Sequence, residues 1–560
     1  MTRFFIEAKN LPAESGTELA RVLRTKLEER MCTVANDPAA AELRLSFALD
    51  STMKKDSFLI EETAPGAVLF RADALSNLFA AAGRFLTLGH FDCLGNFAPA
   101  ALPIAHTMKK ELRGMYLATH FYNFYHAAPI EEIYPIIADL ALRGYNALCV
   151  LVASHHYTSF LHDPEAVKMI DRTKKIFGYA ALCGMAPALI VLSNTCFYNY
   201  PRRLAAQHHL DDSGRYKVPL TAVSTDDVCP SLPGGMEEIE WEHRELYEAF
   251  RGFPIKYFIL WEYDEGGCLC EKCYPWITNG FMRIVRRDVE LIREYGFDAK
   301  ICLSAWHFDL SMQGEWDNFY SHLAAGEYPF LSYVLTSFRT GLPPVVAKNG
   351  VPQGVKFIDF PEISMCGIKP WGAYGANPIS MWLDNLEEMT GSVHDGGFPY
   401  SEGIFEDMNK WICAGFYTGY YEHAADAVRD YIRFEFGLED TGDLLRAVQL
   451  MEDSLPRSVD RHIGEDGTPG KEPYKFSIRW GRPTPEIYRI IMTADEKMPA
   501  CLKNSWKWRV FVLRAVIDKE LYPAARTLID SPAAQAAFHE LNTIFHTENA
   551  LYEVSVPEGK

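Results

Sequence analysis

From Leu112 onward the sequence repeats one grammatical unit eight times: a short apolar run followed by a longer amphipathic stretch. Apolar runs of strand length alternating with helical periodicity mark βα units and a parallel sheet. The eight runs predict strands over 114–120, 147–154, 188–193, 257–263, 300–306, 330–336, 355–360 and 398–404. Helices are predicted between them, among them 130–143 and 280–295. Eight such units over about 300 residues have the size and count of a closed (β/α)8 barrel. An open doubly wound sheet would carry a Gly-rich phosphate loop after its first strand, and this chain has none there.

The flanks read differently. Before the barrel, a strand at 4–8, a helix at 18–29, strands at 43–49, 58–61 and 68–70 and a helix at 74–88 predict a small α+β domain. After Trp411 the apolar spacing turns helical, at 424–436, 441–454, 485–494, 505–517 and 533–547. The Gly-, Pro- and charge-rich segment 457–474 predicts a loop among these helices. The expected division is therefore an N-terminal α+β domain (1–108), a catalytic barrel (109–420) and a C-terminal helical domain (421–560). A chain of 560 residues with 48% hydrophobic content can fill that many cores.

Charge narrows the choice of partners. Fifty-five Lys and Arg against 74 Asp and Glu give a net charge of −19, a field that repels phosphate backbones and anionic lipid. No nucleic acid and no membrane are expected as partners, and a homo-oligomer stays open. The opening residues lack the apolar core and cleavage site of a signal peptide, so the expected location is the cytoplasm. Thirteen cysteines, mostly in apolar segments, suit reduced core thiols.

In a (β/α)8 barrel the functional residues sit at the C-terminal ends of the strands and in the loops after them. The fourth strand, IKYFILWEYDEGG, ends in Glu262, Asp264 and Glu265 beside Trp261 and Tyr263. A carboxyl against aromatic walls loses solvation, keeps its proton and can act as a general acid. The eighth, GGFPYSEGIFEDMNKW, brings Tyr400, Glu402, Glu406 and Asp407 to the same rim. Strands four and eight face each other across the barrel, so two acidic groups could flank a substrate, as glycosidic cleavage by paired carboxylates requires. The fifth strand adds Trp306 and Asp309, the seventh Asp359 and Glu362, and the loop after it Trp371. The early strands add His120 and the run His155, His156, Tyr157, which lacks the His-x-x-x-His spacing of a catalytic zinc site. Any one of these acids alone is a solvated loop carboxylate or an arginine's partner; their convergence on one rim is what points to catalysis.

Cys268, Cys270 and Cys273 form C-x-C-x-x-C directly after the acid pair. With Cys229 from the preceding loop they could fill a tetrahedral structural zinc site. The alternative is a set of free thiols in a tight glycine-containing loop. No cofactor is expected for the catalysis itself.

The N-terminal domain ending in DALSNLFAAAGRFL resembles the small α+β domain that precedes the barrel in β-N-acetylhexosaminidases and α-glucuronidases. The barrel with Asp264-Glu265 closing its fourth strand resembles that of the β-N-acetylhexosaminidases. The resemblance implies an exo-acting hexosaminidase using substrate-assisted catalysis, with Asp264 orienting the substrate acetamido group and Glu265 as the acid. The family's glycines precede the acids, whereas here they follow, as WEYDEGG. YDEGGCLCEKCYPW and YSEGIFEDMNKW resemble a group of uncharacterised bacterial barrel proteins related to glycoside hydrolases. A two-carboxylate glycosidase acting on a uronic acid or neutral sugar, with Glu265 as acid and Glu402 as nucleophile or base, is the alternative. A non-hydrolytic carbohydrate-binding barrel is the third reading, and turnover of aryl glycosides separates it from the other two.

Overall fold

The computed structural model describes residues 1–120, 123–207, 227–262, 267–306, 308–309, 314–338, 341–364, 375–454, 459–460, 475–476, 485–521 and 531–546. All eight expected strands form. They are β1 (Leu112–Leu117), β2 (Ala147–Leu151), β3 (Ala186–Leu192), β4 (Tyr257–Trp261), β5 (Lys300–Ser304), β6 (Leu331–Thr336), β7 (Lys356–Asp359) and β8 (His394–Gly397). Each pairs in parallel with the next, and β8 returns to β1 through Gly396 opposite Leu112, so the sheet closes. A short continuation, Tyr400–Ser401, also pairs in parallel with β1.

The closure point explains why β8 begins four residues before its predicted start. Its first residues, His-Asp-Gly-Gly, carry no apolar pattern. Gly396 has φ +109°, and a Cβ there would lie 1.8 Å from the carbonyl oxygen of Leu112. Only glycine permits that approach.

Alternation along the strands fills the barrel. Leu112, Tyr116, Cys149, Leu151, Ala188, Ile190, Ile259, Cys302, Tyr333, Ile358 and Phe398 form one interior cluster. The intervening residues face outward into a larger core shared with the surrounding helices. Two sets of buried side chains on the same strands therefore serve two cores, as a barrel wall requires.

The N-terminal sheet has the order Thr33–Val34, Arg3–Asn10, Leu43–Leu49, Ala67–Ala72, Ser57–Ala64, Ile104–Thr107. Its helix Leu75–Leu88 lies so close to the barrel helix Ile130–Arg143 that a Cβ at Gly83 would lie 1.9 Å from the carbonyl oxygen of Leu142. The described C-terminal helices include Ala424–Phe436, Gly442–Asp453, Pro485–Lys497, Trp506–Leu521 and Pro532–Ile544. Most of the loop expected at 457–474 lies outside the described residues. Among the described residues, no helix is long and apolar enough to cross a membrane.

A buried ionic knot joins the three regions. Arg143 makes two 2.9 Å bonds to Asp407, and Lys507 reaches Asp139 at 2.8 Å and Glu435 at 2.6 Å. Lys26 of the N-terminal domain joins at Asp139, 2.8 Å away. Charges this deeply buried are tolerable only when paired, so the knot specifies how the regions fit.

Candidate active site

The ends of β1, β7 and β8 form one part of the C-terminal rim, where several buried polar groups meet. After Tyr400 the chain turns inward, and Glu402 is held with 1% of its surface exposed. The Tyr400 hydroxyl donates to Glu402 Oε1 at 2.6 Å and lies 3.4 Å from His120 Nε2. Burial pushes the Glu402 carboxyl well above the usual carboxylate range. The Tyr400 donor and the neighbouring Asn123 amide oppose this, while Glu406 and Glu362 reinforce it. Removing the Glu402 proton would leave a charge in a place with little solvation, so these surroundings favour the protonated form.

Glu406 fixes that geometry from beneath. Its Oε1 accepts four bonds: from Ser364 Oγ (2.9 Å), Ser401 Oγ (2.8 Å), and the backbone N–H groups of Glu402 (2.8 Å) and Gly403 (2.7 Å). The Gly403 carbonyl accepts from Tyr125 at 2.9 Å and from the Lys410 ammonium. With so many bonds closing one short segment, the Glu402 backbone has little freedom. Such rigidity is what a catalytic group needs from its support.

Aromatic rings line the strand ends. Phe360 packs edge-on against Trp261 (centroids 4.9 Å apart) and Trp306 (5.4 Å), and Tyr400 packs edge-on against Tyr116 at 5.0 Å. Trp306 is only partly buried, so a ring at the mouth remains reachable. Apolar faces beside a small number of polar groups are a common design for small-molecule sites.

On the β1 and β2 side lie four imidazoles. Burial lowers His120 far below the usual histidine range, His126 to about 4 and His155 to about 3, and it also lowers His156. Their mutual repulsion adds to the effect on the first three. Burial thus disfavours the charged form of all four, and neutral imidazoles can donate or accept hydrogen bonds without adding charge.

Several residues expected as sugar contacts have other places. Asp407 is engaged by Arg143 and by the Tyr431 hydroxyl at 2.9 Å, and against the opposing effect of burial the charges of Arg143, Lys507 and Lys410 hold its carboxyl far below the ordinary range. Asp309 Oδ1 accepts the backbone N–H groups of Glu315 (2.7 Å) and Trp316 (3.3 Å), capping the helix Glu315–Ala324. Glu406, as described, holds backbone. Structural partners thus account for three of the acids read as substrate contacts. Tyr263, Asp264, Glu265 and Trp371 lie outside the described residues. The four cysteines 229, 268, 270 and 273 are brought together.

Sequence reading omitted Tyr116, Phe360 and Asn123 from the rim. Phe360 carried a signal, since it continues the in-facing alternation of β7 one residue past the strand end. Asn123 carried none.

The molecule is thus a closed (β/α)8 barrel whose C-terminal rim holds a buried carboxyl, its pKa pushed up by burial, among aromatic rings and histidines. No family model matches the chain, and no curated protein matches it either. Solved structures do share its fold. A family 89 glycoside hydrolase from Clostridium perfringens, in complex with 2-acetamido-1,2-dideoxynojirimycin, aligns at TM-score 0.59 and 11% identity over 95% of this chain and 65% of that one. A GH138 enzyme targeting pectin rhamnogalacturonan II aligns at TM-score 0.54 and 13% identity over 97% and 88%. A GH20 exo-β-N-acetylglucosaminidase from Vibrio harveyi, in complex with N-acetylglucosamine, aligns at TM-score 0.51 and 11% identity over 81% and 74%. At these identities the likeness is one of fold.

Proposed function

We propose that this protein is an exo-acting glycoside hydrolase with Glu402 as one of its two catalytic carboxyls. The observation that carries the reading is the Glu402 carboxyl itself. It is buried at the barrel mouth, on the hydroxyl of Tyr400, with a segment of dense hydrogen bonding behind it. Because burial favours its protonated form, proton donation to the leaving oxygen is the role that suits it. That exchanges the parts expected from sequence: Glu265, which follows β4 in the chain, becomes nucleophile or base. Trp306 and its aromatic neighbours supply a platform for a sugar ring.

The likeness in fold to three glycoside hydrolases supports the class. A variant of the Clostridium enzyme with two glutamates changed to glutamine is in complex with its substrate, GlcNAc-α-1,4-galactose. That fits a two-glutamate mechanism. A second reading, substrate-assisted hydrolysis of a β-N-acetylhexosaminide, is favoured by the Asp264-Glu265 pair following β4 and by the N-acetylglucosamine bound to the Vibrio relative in fold.

The test is a panel of nitrophenyl glycosides, including both anomers of N-acetylglucosaminide, N-acetylgalactosaminide and glucuronide, assayed with Glu402→Gln and Asp264→Asn. If Glu402 is the acid, Glu402→Gln keeps activity on activated aryl glycosides and loses it on poor leaving groups. If the acetamido route holds, Asp264→Asn slows only N-acetyl substrates and thiazoline mimics inhibit the enzyme. Absence of turnover across the panel and on natural oligosaccharides would leave a binding protein and defeat both readings.

A further inference from the structure

The four cysteines lie on two loops that leave adjacent barrel strands: Cys229 on the loop after β3, the others on the loop after β4. Their sulfurs all fall within 4.8 Å of one another. Cys229 Sγ is 3.8 Å from Cys270 Sγ and 3.8 Å from Cys273 Sγ. Four thiolates at about 2.3 Å from a tetrahedral zinc have edges of about 3.8 Å, so these two separations match that polyhedron. They do not match a disulfide, in which sulfurs pair at about 2.05 Å.

Donor groups lie within reach of two of the sulfurs. The Gln207 N–H donates to Cys268 Sγ at 3.4 Å, and Ser231 Oγ lies 3.1 Å from Cys273 Sγ. Cys229, Cys268 and Cys273 are buried and Cys270 is half-buried. Gln207 is also bound by Leu269, whose N–H donates to its carbonyl at 2.7 Å, so the two loops are joined by backbone as well as by sulfur. Soft thiolates in a tetrahedron select zinc or iron over magnesium and calcium, and four protein ligands leave no open position for catalysis.

We infer that Cys229, Cys268, Cys270 and Cys273 bind one structural zinc ion that clamps the loop after β3 to the loop after β4. The thiols release their protons as the thiolates bind, and the metal undergoes no redox change. Cys268 follows Glu265 by three residues in the sequence. The site is independent of the sugar, and its test does not use glycosidase activity.

The full chain, purified without a histidine tag, is expected to carry about one zinc per chain by elemental analysis. Cys229→Ser and Cys270→Ser should each lose most of that zinc, whereas Cys93→Ser and Cys501→Ser, which change exposed thiols, should keep it. Reconstitution with cobalt should give the charge-transfer and d–d bands of a tetrahedral cobalt thiolate, a readout that remains if the serine variants fail to fold. Chelation should lower the thermal midpoint of the wild type and leave four more thiols titratable. Wild-type protein that is free of metal and takes up no cobalt would overturn the inference, as would a mass two units lighter per cysteine pair or stoichiometric iron.

Discussion

Replacing Tyr400 with phenylalanine removes one oxygen from the centre of the site and little else. The ring that packs against Tyr116 at 5.0 Å stays, while the hydroxyl 2.6 Å from Glu402 Oε1 goes. That hydroxyl can only help the ionised form of Glu402, because a donor stabilises a carboxylate. Hydrogen bonds to charged groups contribute about 1.5–3 kcal/mol. At 1.36 kcal/mol per pKa unit, the loss raises an already elevated Glu402 by roughly one to two units. With Glu402 as proton donor, the alkaline limb of kcat/KM against pH should move up by that amount, with the plateau kept on the best substrate of the panel. With Glu402 as nucleophile or base, the acidic limb should move up instead, and activity at pH 7 should fall about ten- to hundredfold. A carboxylic C=O stretch present in wild type and absent from Glu402→Gln would report the proton without any substrate. A profile that moves on neither limb would refute the placement of Glu402 in the chemistry.

Three further outcomes follow from the same environments. Glu402→Gln should raise the thermal midpoint, and increasingly so as pH rises. A carboxyl whose folded pKa lies above its unfolded value loses stability from the ordinary carboxylate range upward, and glutamine does not titrate; a midpoint difference that is flat with pH would contradict the raised pKa. Asp407→Asn should destabilise by about 3 kcal/mol at neutral pH by breaking a buried pair with Arg143. Because the folded pKa of Asp407 is lowered, that gap should close only as pH falls below the usual aspartate range, as acid-dependent denaturant melts can check. Trp306→Ala should lose roughly 1.5–3 kcal/mol of apolar contact with a bound sugar, raising KM at least tenfold with kcat little changed. An unchanged KM would remove Trp306 from the platform.

The barrel was legible because its signal is local. An apolar run and the helix after it are written in consecutive residues, and all eight strands lie close to where that pattern puts them. β8 departs because its apolar-free run His-Asp-Gly-Gly holds the glycine, Gly396, needed by the closure with Leu112, a contact to a segment more than two hundred residues away. The site divides on the same principle. Glu402, Glu406 and Asp407 are three acids within six residues, indistinguishable in sequence. Their fates are set by Tyr400, by two serines and two backbone N–H groups, and by Arg143, which is 264 residues from Asp407 along the chain. An acid's role depends on which donors reach it, and of these three partner sets only the first two lie largely within the local segment. The cysteines form the intermediate case. C-x-C-x-x-C limits where three sulfurs can go, so the motif announced a cluster, while the fourth ligand depended on β3 and β4 being neighbours. That adjacency follows from the barrel, so reading the fold first is what made Cys229 a candidate.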